Sequence, residues 1–234
     1  MTQPKTILIT GASRGIGRAS ALALANSDVR LVLAARSSDL LAETAGAAAA
    51  LGAQVSDMAC DVTQEGDVRA LMAHAAYEGA IDVVIHSVGA ALVKPFEQIS
   101  LAEWEEQLRV QLTSLFLICK YSMPHLHRGS LLINIGSIAA KQAFPGWAAY
   151  SAAKHATLGL LGSLREELRP RGIRVTSLLP AATDTSLWDN VPGEWNRGNM
   201  LQPEEIAATI VSLVNTPAHV AVEEVSIGHV VGKL

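Results

Sequence analysis

Short, uninterrupted apolar segments alternate along the chain with longer segments of helical periodicity, and this alternation constrains the fold more than any other feature. The apolar segments, such as LVLA at 31–34 and LLI at 131–133, lack the polar alternation of a half-exposed strand. Such runs are typical of strands buried on both faces of a parallel sheet. The sequence therefore predicts one α/β domain over residues 1–234, a doubly wound parallel sheet with helices on both faces.

The boundaries of these elements follow from where each pattern begins and ends. Strands are predicted at residues 6–10, 29–35, 54–60, 81–87, 131–136, 173–179 and 222–227. Helices are predicted at residues 16–26, 39–51, 65–77, 101–126, 148–168 and 203–214. The one long irregular segment is 181–201, and a loop of that length in a compact domain is often a lid over a binding site.

Composition limits the kinds of protein that the chain can be. Half of its 234 residues are hydrophobic and 17% are charged, so a substantial core is available. The net charge of −4 argues against a nucleic-acid partner, and no apolar run is long enough to span a membrane. Cys60 and Cys119 are far apart and suggest neither disulfides nor a metal site. We therefore expect a cytoplasmic protein that binds no metal.

A glycine-rich loop, TGASRGIG at 10–17, connects the first predicted strand to the first helix. Gly11 allows a tight turn, Gly15 lets the backbone approach a pyrophosphate, and Gly17 lets the helix pack closely on the strand. The helix N-terminus adds free N–H groups and the positive end of a dipole. We therefore predict a Rossmann-type dinucleotide site contacted by Gly11, Ser13, Arg14, Gly15, Ile16 and Gly17. An ordinary glycine-rich turn is the alternative interpretation.

The end of the second strand indicates which dinucleotide binds. An NAD site usually has an acidic residue there, which binds the 2′-hydroxyl of the ribose. This chain has Arg36 instead, and its first acidic residue after the strand is Asp39. Arg36 and Arg14 could pair with a 2′-phosphate, so we predict NADP(H) in preference to NAD(H). The alternative is that Arg36 is simply a solvated arginine.

Tyr150 and Lys154 have the spacing that places two side chains on one face of a helix. An ammonium group beside a phenol favours the tyrosinate, so we expect Lys154 to lower the pKa of Tyr150. Ser137 follows the fifth predicted strand, at the edge of the sheet where ligands bind in doubly wound folds. The three side chains are therefore predicted to meet beside the dinucleotide.

Taken together with Asp61 and Val62, these motifs resemble the short-chain dehydrogenase/reductase family over nearly the whole chain. The resemblance implies a seven-stranded sheet in the order 3-2-1-4-5-6-7 and hydride transfer between NADP(H) and a carbonyl or secondary alcohol. It implies that Tyr150 is the general acid or base, that Ser137 binds the substrate oxygen, and that Lys154 binds the nicotinamide ribose. Further cofactor contacts that it implies are Asp61, Val62, Gly89, Pro180, Thr183 and Thr185. Reduction of 3-oxoacyl compounds is one activity found in the family.

The chain departs from the family pattern at several of these positions. His86 begins the segment HSVG, where relatives carry NNAG, and we interpret it as a hydrogen-bonded strand-end histidine rather than a catalyst. Gln111 takes the place of the asparagine of the catalytic tetrad, which puts the proton relay through Lys154 in doubt. Ala181 replaces the glycine that follows Pro180 in relatives. These changes leave open a second hypothesis, a catalytically silent NADP(H)-binding regulator of the same fold.

The remaining expectations concern the substrate and the assembly. An apolar substrate pocket could be lined by four aromatic residues besides Ser137 and Tyr150, although core packing would also explain the first two: Phe144, Trp147, Trp188 and Trp195. The resemblance implies a homodimer or homotetramer that forms through the helices 101–126 and 148–168.

Overall fold

A computed structural model describes residues 4–231 of the chain. Its centre is a parallel sheet of seven strands in the order β3-β2-β1-β4-β5-β6-β7, which confirms the predicted fold and strand order. The strands are β1 Lys5–Thr10, β2 Val29–Ala35, β3 Gln54–Ala59, β4 Ile81–His86, β5 Leu126–Ile135, β6 Arg174–Pro180 and β7 Glu224–Ile227. The helices are α1 Gly15–Leu24, α2 Ser38–Ala50, α3 Glu65–Ala75, α4 Leu101–Leu108, α5 Ser114–Ser122, α6 Ala148–Leu168 and α7 Pro203–Val214.

The uninterrupted apolar strands arise because both faces of the sheet are covered. Successive side chains of a strand point to opposite faces, so Ile7 and Leu8 of β1 enter different cores. Helices α1, α2 and α7 cover the face that contains Ile7, and helices α3, α5 and α6 cover the face that contains Leu8. Both side chains are fully buried, and the ligand-binding edge is left at the carboxyl ends of the strands.

The prediction of one continuous helix over 101–126 is wrong, both because the helix is interrupted and because it ends earlier. A π-helical turn, Arg109–Thr113, separates α4 from α5, and α5 ends at Ser122. A short 3₁₀ turn containing Pro124 follows, because proline has no N–H group to continue the helical hydrogen bonds. Strand β5 then begins at Leu126 rather than at 131, and its pairing with β4 shifts register after Ile81.

Other boundaries differ from the predicted ones by only a few residues. A capping box begins α4, since the Ser100 hydroxyl accepts from the Glu103 N–H and the Glu103 carboxylate accepts from the Ser100 N–H. Helix α6 is followed by a 3₁₀ turn, Arg169–Arg171. Gly172 ends that turn, with a φ of 69° in the left-handed region. Within 4–231, no helix is long and apolar enough to cross a membrane.

Candidate active site

At two positions of the glycine loop between β1 and α1, Gly11 and Gly17, the packing is so close that no side chain would fit. Gly11 and Gly15 have φ values of 72° and 52°, which favour glycine. A Cβ atom on Gly11 would lie 2.2 Å from the Ser87 carbonyl oxygen, and one on Gly17 would lie 2.2 Å from the Gly11 carbonyl oxygen. The loop thus has the bare backbone that a pyrophosphate needs above a helix N-terminus, and it fits a dinucleotide.

The adenosine end of the predicted site lies at the carboxyl ends of β2 and β3. Arg36 and Arg14 are exposed, whereas Val62 is buried. Burial opposes ionisation of Asp61, but hydrogen bonds from Thr63 and the nearby guanidinium of Arg36 outweigh it and lower the pKa of that carboxyl. The Thr63 N–H and hydroxyl donate to the carboxylate over 3.0 and 2.8 Å. Neither the Arg36 nor the Arg14 guanidinium forms a hydrogen bond or an ion pair with the part of the chain that the structure describes, so both are available to a phosphate at this end.

Arg109 also reaches this end of the site, and sequence reasoning missed it. It lies in the π-helical turn, from which its Nη1 donates to the Thr63 hydroxyl over 2.9 Å. Its guanidinium contributes to the lowered pKa of Asp61. Because the contact joins residues 46 positions apart, no local sequence signal could have indicated it.

The predicted acid-base residues come together at the carboxyl end of β5. Ser137 follows this strand, and its hydroxyl oxygen accepts from the Ala139 N–H over 3.1 Å. Tyr150 and Lys154 occupy the first turns of α6 and are both buried. The Lys154 ammonium donates to the Ile135 carbonyl oxygen over 3.3 Å and lies 5.5 Å from the centre of the Tyr150 ring. The geometry therefore brings all three side chains to one place.

Burial controls the protonation of this group. It raises the pKa of Tyr150 to about 12, although a hydrogen bond with Ser137 opposes the change. It lowers the pKa of Lys154 from 10.5 to about 8. The sequence predicted that Lys154 would lower the pKa of Tyr150, and the direction found is the opposite. The reason is that loss of hydration around the buried phenol raises its pKa by more than the hydrogen bond with Ser137 lowers it.

His86 lies in a hydrogen-bond chain that joins the sheet to the π-helical turn. Its Nδ1 is 2.8 Å from the Thr10 hydroxyl, and its Nε2 is 3.1 Å from the Ser114 hydroxyl. The Ser114 hydroxyl donates to the Val110 carbonyl oxygen, so Nε2 carries the proton and Nδ1 accepts from Thr10. Burial and the nearby Lys154 lower the pKa of His86 to about 3. His86 is thus a neutral, hydrogen-bonded strand-end histidine, as interpreted from the sequence.

Gln111 is also buried, but its side chain does not bond to Lys154. Its Nε2 donates to the Ala90 carbonyl oxygen, and its Oε1 has no hydrogen-bond partner among the described residues. A Cβ atom on Gly89 would lie 3.3 Å from that oxygen, so the amide packs directly against the backbone of Gly89. An orphaned buried acceptor of this kind is a position that a bound water or ligand can satisfy.

The segment that follows β6 covers this edge of the sheet. Pro180 is the last residue of β6, and Thr183 pairs with Leu201 in an isolated bridge that ties the two ends of the segment together. The Thr185 side chain would meet a Cβ atom on Gly15 at 3.2 Å, so it lies against the glycine loop. Thr183 is buried, and its carbonyl oxygen accepts from the indole of Trp188 over 3.0 Å.

Three of the four aromatic residues predicted near the substrate are in contact with one another. The ring centres are 5.2 Å apart for Trp147 and Tyr150, 5.8 Å apart for Trp147 and Trp188, and 4.9 Å apart for Trp188 and Trp195. Phe144 is half-buried and is not among the described residues that pack in this cluster. A row of indole rings therefore runs from the phenol into the 181–201 segment.

Ion pairs within that segment also escaped sequence reasoning. Arg197 pairs with Asp184 over 2.9 Å and with Asp189 over 2.5 Å. The two aspartates precede the arginine by 13 and 8 positions, spacings that predict no contact in an irregular loop. The pairs hold the last part of the segment close to its beginning and its middle.

Comparison with known proteins assigns this fold and site to a class of oxidoreductases. The sequence model of short chain dehydrogenases matches residues 5–194. The chain therefore belongs to the short-chain dehydrogenase/reductase family, whose members are oxidoreductases that act on CH–OH groups.

The proteins that this chain resembles are named for different substrates. The chain is 35% identical to D-threitol dehydrogenase of Mycolicibacterium smegmatis, with 92% of this chain and 87% of that one aligned. It is 29% identical to 3beta-hydroxysteroid dehydrogenase of Mediterraneibacter gnavus, covering 92% and 89%. It superimposes with a TM-score of 0.92 on an alcohol dehydrogenase from Thermococcus sibiricus complexed with 5-hydroxy-NADP, at 31% identity and 99% coverage of both chains.

Proposed function

We propose that this protein is an NADP(H)-dependent oxidoreductase that interconverts a carbonyl compound and a secondary alcohol. The observation that carries the proposal is the meeting of Ser137, Tyr150 and Lys154 at the carboxyl end of β5. The glycine loop that fits a dinucleotide opens at the same edge of the sheet. A dinucleotide held by the glycine loop and Lys154 would supply the hydride for the carbonyl carbon, or would accept it in the reverse direction.

Tyr150 and Ser137 act on the substrate oxygen. The raised pKa of about 12 keeps the phenol protonated at neutral pH, so Tyr150 donates its proton to the oxygen as the carbonyl is reduced. The Ser137 oxygen accepts from the Ala139 N–H, so its proton is the part of the hydroxyl that can be donated. In the protein without substrate that proton is directed to the Tyr150 phenol, and we propose that it turns to the same substrate oxygen when the carbonyl binds. The oxygen is thus bound by two donors as negative charge develops on it.

Lys154 positions the cofactor ribose and helps to return a proton to Tyr150. An ammonium group has three N–H donors, and among residues 4–231 Lys154 uses one of them, in the bond to Ile135. The other two donors are available to the nicotinamide ribose hydroxyls. We propose that Gln111 supports this function from the π-helical turn, where its unpartnered Oε1 can hold a water beside Gly89.

The preference for NADP(H) is also part of the proposal. Arg36 and Arg14 are both exposed near the carboxyl end of β2 and could bind a 2′-phosphate. Two related solved structures, from Thermococcus sibiricus and Burkholderia cenocepacia, are complexes with 5-hydroxy-NADP and NADP. The adenine would lie over Val62 and Asp61, and the 181–201 segment would close over the site as a lid.

The test is a screen for NADPH oxidation over acetoacetyl esters, quinones, aldehydes, sugars and steroids. We expect turnover with at least one carbonyl class and higher kcat/KM with NADPH than with NADH. When NADPH deuterated at C4 is the donor, deuterium should appear on the carbinol carbon of the product. Absence of turnover across the screen, despite NADPH binding, would instead support the silent regulator.

We also propose that the protein forms a homodimer or homotetramer in a reducing, cytoplasmic compartment. Leu101 of α4 and Phe116 of α5 are 71% and 44% exposed on the helices expected at the interface. Cys60 and Cys119 are buried free thiols. Light scattering of the purified protein would show a dimer or larger assembly, and a monomer at micromolar concentration would contradict the assembly.

A further inference from the structure

We infer that the substrate carries a flat apolar group, an aromatic or alicyclic ring, next to its carbonyl. The inference rests on the proposed function, because it concerns the compound that Tyr150 would protonate. The part of the protein that would accept the ring is the row formed by Trp147, Trp188 and Trp195, here called the indole row.

The position of the indole row links it to the reacting group. Trp147 immediately precedes α6, and its ring meets the Tyr150 ring edge-on at an interplanar angle of 74°. Trp188 and Trp195 continue the row from there into the 181–201 segment. A carbonyl that is hydrogen-bonded to the Tyr150 hydroxyl would therefore have its neighbouring substituents close to these rings.

The indole row presents carbon rather than hydrogen-bonding groups. The indole N–H of Trp188 donates to the Thr183 carbonyl oxygen, and that of Trp195 donates to the Val191 carbonyl oxygen over 3.3 Å. Both polar edges are therefore satisfied by the backbone of the segment itself. Trp188 is itself only 8% exposed and lies behind its two neighbours, so the apolar faces that a ligand can reach are those of the half-buried Trp147 and Trp195. Such faces suit offset or edge-on contacts with another ring.

Neighbouring residues extend the apolar character of this surface. Ala91 and Val93, from the loop after β4, pack against the row, as do Leu187, Val191 and Met200. Three charged side chains of the segment are occupied with one another, because Arg197 pairs with Asp184 and Asp189. The fourth, Glu194, is exposed. A sugar or polyol placed here would lose water from its hydroxyls without gaining partners, whereas a hydrocarbon ring would gain contact area.

The substrates for the test differ in polarity but share a ketone. They are 2-tetralone, which has fused rings beside its carbonyl, and erythrulose, a four-carbon ketose related to threitol. With NADPH saturating, we expect kcat/KM to be at least about 100-fold higher for 2-tetralone, because hydroxyls buried against ring faces leave hydrogen bonds unmade.

Variants of the indole row show whether it causes the difference. Trp188→Ala should lower kcat/KM for 2-tetralone by about 30-fold or more, because Trp147 and Trp195 lose the ring that they pack against, while Trp188→Phe should stay within about threefold of wild type. The affinity for NADPH should be unchanged in both. Tyr77→Ala is the matched aromatic control, since Tyr77 is 87% exposed and lies outside the segment. If Trp188→Ala does not fold, Trp195→Ala replaces it in the comparison, because Trp195 is a less buried ring of the same row.

The possible outcomes separate this inference from the proposed function. Equal or greater efficiency with erythrulose, or an equal loss for both ketones in Trp188→Ala, would overturn the inference and leave the proposed reductase intact. Turnover with no carbonyl of any class would overturn both. A preference for 2-tetralone that Trp188→Ala abolishes and Trp188→Phe retains would support the inference.

Discussion

Replacing Lys154 with methionine should make the protein more stable while abolishing its turnover. The ammonium of Lys154 is buried, and its hydrogen bond goes to the neutral carbonyl of Ile135. None of the ion pairs found within residues 4–231 includes Lys154. A buried charge without a counterion opposes folding, and methionine fills a similar volume without charge.

The size of the effect follows from the pKa of Lys154, which burial lowers from 10.5 to about 8. A shift of this size corresponds to about 3 kcal/mol, at about 1.4 kcal/mol for each pKa unit. Methionine also loses the hydrogen bond to Ile135, which is worth about 1 kcal/mol. We therefore expect the free energy of unfolding to rise by about 2 kcal/mol at pH 7, and Tm by roughly 4–8 °C for a chain of this size.

The pH dependence of the difference gives the stricter test. Below the folded pKa of about 8, Lys154 is charged in both folded and unfolded states, and the wild type carries the full penalty. Between that pH and 10.5 the folded state releases its proton first, so the wild type gains stability relative to the variant. The advantage of Lys154→Met should therefore shrink as the pH rises.

Urea denaturation at pH 7 and pH 10 measures both quantities. Lys5→Met is the control, because Lys5 is exposed at the start of β1 and its replacement should change stability by less than about 0.5 kcal/mol. A Lys154→Met protein that is less stable than the wild type at pH 7 would refute the reasoning. So would an advantage that stays constant between the two pH values.

Other perturbations test the cofactor site and the protonation of the pair. Arg36→Ala should raise KM for NADPH by roughly 10- to 100-fold and leave the NADH constants nearly unchanged, since it removes a partner of the 2′-phosphate; equal changes for both cofactors would contradict this. Gly17→Ala places a Cβ atom 2.2 Å from the Gly11 carbonyl oxygen and should abolish NADPH binding in titrations. Its control is Gly46→Ala, where no atom lies within 4 Å and binding should persist. The kcat/KM for reduction should fall as the pH rises through about 8, where Lys154 loses its charge, and a flat profile to pH 10 would exclude this role.

The features that the sequence predicted well are those with a local physical cause. Uninterrupted apolar runs follow from burial on both faces of the sheet, so the strand positions and the sheet class were predictable. The glycines of the loop were recognisable because Gly11 and Gly17 have no space for a side chain. The spacing of Tyr150 and Lys154 fixed their common helix face without tertiary information.

The features that escaped prediction depend on contacts between distant parts of the chain. Ser114, which follows the π-helical turn, is bonded both to Val110 of that turn and to His86 of β4, and no local periodicity reveals these contacts. The early start of β5 depends on pairing of Leu126 with Ile81. The pKa of Tyr150 was predicted in the wrong direction because its degree of burial beside Trp147 is a tertiary property.

The most direct test of the proposed mechanism compares the wild type with Tyr150→Phe in two measurements on the same preparations. These are the dissociation constant for NADPH and the turnover of the best carbonyl substrate. We predict at least about a 1,000-fold loss of kcat in Tyr150→Phe, with NADPH affinity within about threefold of wild type, because only the proton donor is removed. A variant that keeps most of its turnover, or a wild-type protein that binds no NADPH, would contradict the central claim that Tyr150 protonates a substrate beside a bound dinucleotide.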